Sequence, residues 1–344
     1  MKIRKLRNIT VSEIGMGCMG FSHGYGQIPE EGYSIEAIRM AYEYGCRFFD
    51  TAEGYGPNLD PANHGHNEKI LGKAFDGTDR SSFVLATKMH IPTDEAVSQG
   101  VYHTVREHLM SSLENLRTGY ADLYYLHRIN PDVAVEDVAE AMHRLYDEKL
   151  IRGWGLSQVP VSTIDAAHKV FPVSAVQNIY SMVERGIEDE VIPYCLENNI
   201  GIVPFSPIAS GLLSGRITTQ TEFEKVDDVR NFVPQLKKEN IAANQPIIDL
   251  LKEYAVLKSA TPAQVSLAWM LHKYPNVVPI PGSKNKERIM ENLKASEVEL
   301  SDEEFSRLDQ TLNSLEVFGY RGFDETRRPG GSMRDWDRKK PSKV

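Results

Sequence analysis

The stretch FFDTAEGYG, residues 48–56, begins as a run of apolar residues and then breaks into polar and glycine-rich sequence. A short apolar run of this kind is typical of a buried parallel strand. Asp50 closes the predicted strand, and Tyr55 follows five positions later on a glycine-flanked turn. In proteins that alternate strands and helices, the chemistry lies at the carboxyl ends of the strands. We therefore predict that Asp50 and Tyr55 form a proton-handling pair.

The same order of strand, loop and helix recurs along the chain. Strict alternation predicts a parallel sheet, and eight such units predict an α/β fold of the closed (β/α)8 TIM-barrel type. An N-terminal β-hairpin is predicted at residues 2–12 and extra helices near the C-terminus, where Thr261 and Ser301 begin capping boxes. The eight predicted strands cover residues 14–20, 47–50, 83–88, 121–127, 151–157, 175–178, 201–205 and 277–280.

The domain organisation follows from the absence of any linker rich in Pro, Gly or Ser. Residues 1–320 are predicted to form a single barrel domain and residues 321–344 a charged C-terminal extension. A long loop is expected at about 206–240. The rival fold is an open doubly wound sheet, because residues 15–20 spell G-x-G-x-x-G. The acidic residue that should follow about 20 positions later falls in a predicted helix. We therefore interpret these glycines as a tight loop at the rim of the barrel.

Composition and charge restrict the classes of function. The chain has 344 residues, of which 41% are hydrophobic and 25% charged, and its formal net charge of -9 argues against a general nucleic-acid binder. Its three cysteines are far apart and lack metal-type spacing, as in a reduced, cytoplasmic protein. Neither a signal peptide nor a membrane span is predicted.

Two further reactive side chains end the next two predicted strands, Lys88 and His127. Neighbouring strands of a barrel bring such residues to one side of its mouth. There Lys88 could stabilise the phenolate of Tyr55, Asp50 could hold Lys88, and His127 could orient a carbonyl oxygen. Tyr55 would then protonate a carbonyl while a nicotinamide supplies hydride. Each residue alone also has a purely structural explanation, and Lys88 could instead be a Schiff-base lysine, although a close Asp50 opposes that role.

The motifs of this chain resemble those of the aldo-keto reductases, specifically the bacterial-type members, almost from end to end. The similar segments are FFDTAEGYG at 48–56, VLATK at 84–88, DLYYLHR at 122–128, IRGWGLS at 151–157, GLLSGR at 211–216 and PIPGS at 279–283. The resemblance implies a (β/α)8 barrel with a catalytic tetrad of Asp50, Tyr55, Lys88 and His127. It implies that Tyr55 is the general acid for reversible reduction of a small aldehyde or ketone. The alternative is a non-catalytic, cofactor-binding regulatory protein of the same fold.

The resemblance also implies NADP(H) as cofactor, extended across the barrel mouth. Ser157, Asn178 or Gln177 would contact the carboxamide, Phe205 would stack on the nicotinamide, Arg216 would approach the pyrophosphate, and Glu291 and Asn292 would hold the adenine. The complete set of expected cofactor-binding residues is Gly17, Cys18, Met19, Ser157, Gln177, Phe205, Ser206, Pro207, Gly211, Arg216, Ser283, Lys284, Arg288, Glu291 and Asn292.

The preference for NADPH over NADH is predicted from the last helix. A helix is expected to start near Lys286, with Lys284 before it and Arg288 in its first turn. A helix N-terminus attracts anions, and added cations suit a ribose 2′-phosphate. The alternative is a solvated, charged helix start.

Two segments depart from the family pattern. Residues 57–66 form a longer loop than the motif requires, and its His64 and His66 could suggest a metal, although two histidines without a third ligand favour a loop that shapes the substrate pocket. His90 follows the lysine where small residues are usual and could narrow that pocket. We expect no metal site; the substrate itself and the oligomeric state stay open.

Overall fold

The computed structural model describes residues 1–322. Its chain begins with an antiparallel hairpin of β1 (Ile3–Leu6) and β2 (Ile9–Ser12), as predicted. Arg7 adopts a φ of 57° at the turn. Leu6, Ile9 and Val11 are buried in one cluster with apolar residues from inside the barrel. The hairpin thus closes the end of the barrel opposite the carboxyl ends of the strands.

Seven parallel strands form a sheet in which every strand pairs with its neighbour in sequence. They are β3 (Met16–Gly17), β4 (Phe48–Asp50), β5 (Val84–Met89), β6 (Leu123–Leu126), β7 (Trp154–Ser157), β8 (Ala175–Gln177) and β9 (Gly201–Ile202). This sequential order confirms the prediction of a parallel α/β barrel and excludes the doubly wound order, which reverses at a switch point. Of the glycines at 15–20, which were predicted to form a tight loop, Gly15 precedes β3, Gly17 ends it, and only Gly20 lies in the 3₁₀ turn that follows.

The eighth predicted strand, at residues 277–280, closes the barrel without forming a regular ladder. Val278 donates from its backbone to Ile202 at 2.8 Å, and the backbone of Gly15 donates to Pro279 at 2.9 Å. Bridges join Val277 to β9 and Gly282 to β3. Pro279 and Pro281 have no N–H groups, so a continuous ladder is impossible here.

The helices cover the outside of the sheet and follow the strands in turn. They are α1 (Glu31–Tyr44), α2 (His66–Ala74), α3 (Thr93–Gln99), α4 (Val101–Asn115), α5 (Val135–Asp147), α6 (Val161–Val170), α7 (Val191–Glu197), α8 (Lys238–Ala243), α9 (Gln245–Lys258), α10 (Pro262–Lys273), α11 (Lys286–Leu293) and α12 (Asp302–Asn313). Both predicted capping boxes are present, at Thr261 and Ser301. Within the described residues, no helix is both long and apolar enough to cross a membrane.

Helical structure that the sequence pattern did not reveal is present in two segments. Helix α3 follows the third predicted strand, where no helix was predicted, and it buries none of its residues, so it has no apolar periodicity to find. The segment 206–240 contains short 3₁₀ turns and the start of α8. Near the predicted domain end, Arg321 is 6% exposed and its Nε donates to Ser206 Oγ at 3.0 Å. The rest of the predicted extension, from residue 323, lies outside the described residues.

Candidate active site

The side chain of Lys88 lies near the carboxyl end of β5 and is completely buried. Its Nζ donates to Asp50 Oδ1 at 2.5 Å and to the backbone carbonyl of Thr51 at 2.7 Å. Tyr55 Oη lies 3.4 Å from the same nitrogen. Asp50 also accepts from Gln177 Nε2 at 2.9 Å. A carboxylate, a carbonyl and a phenol oxygen therefore satisfy the three donors of this ammonium.

The register of the sheet explains why these groups meet. Asp50 lies opposite Ala86, and Lys88 lies opposite Tyr125. Successive side chains of a strand point to opposite faces, so Ala86 and Lys88 share a face. Ala86 and Tyr125 belong to the cluster inside the barrel. Lys88 therefore points inward, and His127, two positions after Tyr125, follows the same alternation.

His127 lies one residue beyond β6, and its backbone N–H donates to the carbonyl of Met89 at 2.8 Å. Its ring packs edge-on against Tyr55, with 5.6 Å between the ring centres, and lies 4.6 Å from the ring of His90. The buried His127 Nδ1 has no hydrogen-bond partner. The structure thus brings Asp50, Tyr55, Lys88 and His127 together, as the sequence suggested, and places His90 against His127.

Burial and charge act in opposite directions on these groups. Burial raises the pKa of Tyr55, and the ammonium of Lys88 opposes this rise without reversing it. The sequence predicted that Lys88 would stabilise the phenolate of Tyr55, which by itself would lower the pKa of Tyr55. Lys88 does act in that direction, but the effect of burial is larger, so the net pKa is raised. Burial acts to lower the pKa of Lys88, but Asp50 and Tyr55 outweigh it and the pKa is raised.

The protonation states of Lys88 and His127 follow from these shifts. A raised pKa keeps Lys88 charged, which opposes the Schiff-base alternative, since that role needs a neutral amine. Burial lowers the pKa of His127 well below its ordinary value, so its imidazole is neutral. A neutral imidazole can donate one hydrogen bond and accept another.

A second ionic cluster lies beside the tetrad and was missed by the sequence interpretation. Glu53, in the opening stretch, accepts from the backbone N–H of His90 at 2.8 Å and pairs with His108 Nδ1 at 2.7 Å. The other ring nitrogen of His108 lies 3.0 Å from Glu95 on α3. The hydrogen bond to Glu53 raises the pKa of His108 to about 9, although burial opposes it. No sequence signal marks this pair, because His108 is 55 positions from Glu53.

The first expected cofactor residues lie at the end of β3. Gly17 pairs with Asp50 in the sheet, and a Cβ atom at Gly17 would lie 2.9 Å from the carbonyl oxygen of Ile280. Cys18 is buried, and its backbone N–H donates to the carbonyl of Asp50 at 2.9 Å. Met19 begins the 3₁₀ turn that follows. The glycine is thus required by the close approach of two backbones.

The residues expected around a nicotinamide end β7, β8 and the segment after β9. Ser157 Oγ accepts from Arg128 Nη1 at 2.9 Å. The Nε2 group of Gln177 donates to Asp50, whereas the side chain of Asn178 forms two hydrogen bonds with the backbone of Val159. Gln177 and Ser157 thus contact other side chains, while Asn178 holds the backbone. Phe205, Ser206 and Pro207 follow on the same edge.

The segment around Gly211 has an unusual backbone. Ala209, Ser210 and Gly211 all have positive φ, of 49°, 53° and 100°. The backbone N–H groups of Ala209 and Gly211 already donate to the carbonyls of Ser206 and Ile208, both at 2.9 Å. The buried Ser210 Oγ, in contrast, has no hydrogen-bond partner. The hydroxyl of Ser210 is therefore the group of this segment that could bind a ligand.

The last group of expected cofactor residues surrounds the start of α11. Lys284 Nζ donates to the backbone carbonyls of Tyr25 and Gln27, at 2.8 Å and 2.5 Å. The side chain of Asn285 caps the helix by accepting from the backbone N–H of Arg288, and the side chain of Arg288 is exposed.

The remaining residues of this end come from α11 and from the segment after Gly211. Arg216 forms an ion pair of 2.6 Å with Glu291, and Asn292 is buried one position later. The Ser283 hydroxyl accepts from the backbone N–H of Asn285 at 3.1 Å. Two of the expected cations, Lys284 and Arg216, therefore already have partners in the protein.

The loop at 57–66 forms two short 3₁₀ turns and packs closely on Gly56, where a Cβ atom would lie 2.3 Å from the carbonyl oxygen of Asn63. His64 is exposed, and His66 Nδ1 lies 2.9 Å from Ser22 Oγ. Among residues 1–322, no group of three or more His, Cys, Asp or Glu side chains is arranged to hold a metal ion.

Comparison with known proteins agrees with this architecture. A sequence model of the aldo/keto reductase family matches residues 13–313. Aldo-keto reductase yakc of Schizosaccharomyces pombe, whose name specifies NADP(+), is 34% identical over 326 residues, which cover 92% of this chain and 93% of the relative. A protein of Glycine max named "Probable aldo-keto reductase 1" is 33% identical over 320 residues, 91% of this chain and 90% of that protein.

A solved structure shows the same fold at lower identity. The glycerol dehydrogenase of Gluconobacter oxydans superimposes with a TM-score of 0.80 and 22% sequence identity, covering 95% of this chain and 98% of that one. At this identity the likeness bears on the fold alone. Together with the family match over most of the chain, it shows that this protein is a (β/α)8 barrel and belongs to the aldo/keto reductase family.

Proposed function

We propose that this protein is an NADP(H)-dependent aldo-keto reductase that reduces a small aldehyde or ketone to the alcohol, and that catalyses the reverse oxidation with the same groups. The observation that carries the proposal is the position of Lys88 Nζ, 2.5 Å from Asp50 Oδ1 and 3.4 Å from Tyr55 Oη. A buried ammonium beside a phenol is the arrangement that proton donation by tyrosine requires.

Tyr55 is the proton donor in this proposal. When its proton passes to the carbonyl oxygen, the phenolate that remains is stabilised by the charge of Lys88, which needs no rearrangement because it is already in place. Asp50 keeps Lys88 charged and oriented, and Gln177 in turn holds Asp50. Tyr55 is therefore the reacting residue, Lys88 acts through its charge, and Asp50 and Gln177 act through the geometry they impose.

His127 orients the substrate. Its ring packs against that of Tyr55, and its neutral state leaves one N–H for a carbonyl oxygen. A second donor to that oxygen polarises the carbonyl and fixes its carbon relative to the hydride source.

The residues that fit NADP(H) lie along the barrel mouth. The unpaired hydroxyl of the buried Ser210, next to Gly211, is an observation of this chain that suits a dinucleotide. Ser157 and Gln177 would hold the carboxamide, and Phe205 would stack on the ring. When bound, the cofactor supplies a hydride for the carbonyl carbon. The 34% identity with a relative named for NADP(+) supports the choice of the phosphorylated cofactor.

The test is consumption of NADPH with a panel of small aldehydes and ketones, measured for the natural sequence and for Tyr55→Phe. We expect turnover by the first and loss of turnover in the second, with NADPH binding retained in both. Binding of NADPH without turnover on any carbonyl compound would contradict the proposal and favour the regulatory, cofactor-binding alternative.

A further inference from the structure

Two imidazole rings border the proposed acid, and only one of them directly follows a strand. His23, from the loop between β3 and α1, has its ring centre 5.3 Å from that of Tyr55. The corresponding distance for His127 is 5.6 Å, and His90 lies 4.6 Å from His127. His23 is therefore as close to Tyr55 as His127 is, although it comes from a different part of the chain.

His23 is buried without satisfying its polar atoms. The residue is 6% exposed, and neither of its ring nitrogens has a hydrogen-bond partner. Buried polar atoms are almost always paired within a protein, so a side chain with two unpaired atoms beside a catalytic group points to a ligand. Burial lowers the pKa of His23, which keeps the ring neutral with one donor and one acceptor nitrogen.

The backbone on both sides of His23 is held in place. Its own N–H donates to the carbonyl of Met19 at 3.1 Å. The N–H of Gly24 donates to Asp227 Oδ2 at 3.0 Å, and the carbonyl of Gly24 accepts from Val229 at 3.0 Å. The backbone that carries the ring is thus held in place before a ligand arrives, which reduces the cost of ordering the site on binding.

We propose that His23 is a substrate-binding residue that hydrogen-bonds a second oxygen of the substrate, on the carbon next to the carbonyl carbon. The inference rests on the proposed function, in which Tyr55 and His127 hold the carbonyl oxygen. Because His23 also borders Tyr55, an oxygen bonded to it lies beside the carbonyl oxygen, as the two oxygens of an α-hydroxy carbonyl compound do.

The chemistry of the ring favours a hydroxyl over a carboxylate. A hydroxyl group can accept from the donor nitrogen of a neutral imidazole and donate to an acceptor. An ionised carboxylate only accepts, and it would have to be desolvated beside a neutral ring. The site therefore prefers α-hydroxy aldehydes or ketones to plain ones.

The experiment compares 2-hydroxypropanal, 3-hydroxypropanal and propanal, which have the same carbon number, as substrates with saturating NADPH. The natural sequence should have its highest kcat/KM with 2-hydroxypropanal. His23→Phe, which keeps the ring but removes both nitrogens, should lower that kcat/KM by about 10-fold and leave propanal within about twofold. His23→Asn keeps a donor and an acceptor, and it should retain part of the preference.

The matched control is His143→Phe on α5, where the ring stacks on Phe171 with 4.6 Å between centres. It should change none of the three kcat/KM values. An equal preference in His23→Phe and the natural sequence would overturn the inference, and so would a loss of NADPH affinity, which would assign His23 to the cofactor. A uniform fall for all three aldehydes with a lowered Tm would show a structural role and also overturn it.

The inference and the proposed function fail in different ways. Turnover of all three aldehydes without a preference that depends on His23 would contradict the inference alone. If the natural sequence bound NADPH and reduced none of them, the proposed function would be contradicted and this inference with it.

Discussion

The two ends of the barrel mouth differ in the burial of their charged side chains and in the partners of those charges. At the catalytic end, Lys88 and Asp50 are buried and paired with each other 2.5 Å apart. At the other end, Lys284 is bonded to loop carbonyls, Arg216 is paired with Glu291, and Arg288 is exposed. Buried charges need a partner inside the protein at all times, whereas exposed cations can exchange a partner for a ligand at little cost.

This difference in burial suggests different roles for the two ends, catalysis at one and cofactor binding at the other. The catalytic end is complete before a ligand binds, so its substitution should affect chemistry and stability together. In the proposed function, the end around α11 would contribute binding energy, and part of that energy would be spent on releasing partners such as the carbonyls of Tyr25 and Gln27. Substitution there should change affinity and leave kcat and stability nearly unaltered.

The strongest test of this division is Tyr55→Phe. We expect kcat for carbonyl reduction to fall by about 10³-fold, because general acid catalysis is worth roughly 10²–10⁴-fold and the variant lacks the hydroxyl that donates the proton. NADPH affinity, measured by quenching of protein fluorescence, should not change. Substantial activity in this variant would remove Tyr55 from its role as the acid.

The next largest effect is expected from Lys88→Met. The variant leaves Asp50 buried without a cation, and breaking a buried pair in this way costs about 3–5 kcal/mol of unfolding free energy. The deficit should be smallest in acid, where the unpaired carboxylate becomes protonated, and should grow as pH rises. Urea unfolding at several pH values measures both effects.

The control for Lys88→Met is the double variant Lys88→Met/Asp50→Leu, which removes both charges. It should recover most of the lost stability but none of the activity. If the double variant were as unstable as the single one, packing rather than an unpaired charge would explain the loss.

His108, at the edge of the catalytic end, allows a test of how its ion pairs contribute to stability at different pH values. Because its pKa is raised to about 9 in the folded protein, its contribution is fully present below about pH 6.5 and is lost as pH rises towards 9. His108→Gln should therefore lower the unfolding free energy by up to about 3 kcal/mol at pH 6.5 and by much less above pH 9.

The matched control for His108 is His143→Gln on α5. There the imidazole lies 3.9 Å from Asp147, and its side chain is 53% exposed, against 18% for that of His108. Solvent screens such a pair, so this variant should show little change with pH. If the unfolding free energies of the two variants depended on pH to the same extent, the stabilisation of charged His108 by Glu53 and Glu95 would be contradicted.

The smallest effect is expected at the α11 end, from Arg288→Ala. We expect the Kd for NADPH to rise about 10-fold, equal to about 1.4 kcal/mol, with no change for NADH. Lys284→Ala should have a smaller effect, because Lys284 must first leave two backbone carbonyls. Isothermal titration with both cofactors checks this, and unchanged NADPH affinity in both variants would contradict a 2′-phosphate site here.

The local sequence was sufficient to predict an element wherever the residues of that element determine its start and end. The capping boxes begin at Thr261 and Ser301 as predicted, a helix starts at Lys286, and the predicted hairpin at residues 2–12 is present. The apolar pattern was less informative at residues 277–280, where Pro279 and the following Pro281 interrupt the ladder of the closing strand. It failed for α3, which buries none of its residues and therefore carries no apolar stripe.

The four strand-end groups could be expected to converge because a parallel barrel brings all carboxyl strand ends to one edge, and each of these groups ends or follows a predicted strand. The partners of those groups could not be predicted. Gln177 reaches Asp50 across 127 positions, and His108 reaches Glu53 across 55. Such contacts depend on side-chain directions that no local pattern encodes.

The sequence by itself determined the barrel, its strand order and the four residues at the strand ends, because alternation and strand polarity are local properties repeated along the chain. Only the tertiary structure decided which charges are buried, and with it the net rise of the pKa of Tyr55 and the neutrality of His127. It alone placed His23 beside Tyr55. The physical reason is that desolvation depends on everything packed around a group, whereas a motif specifies only its neighbours in sequence.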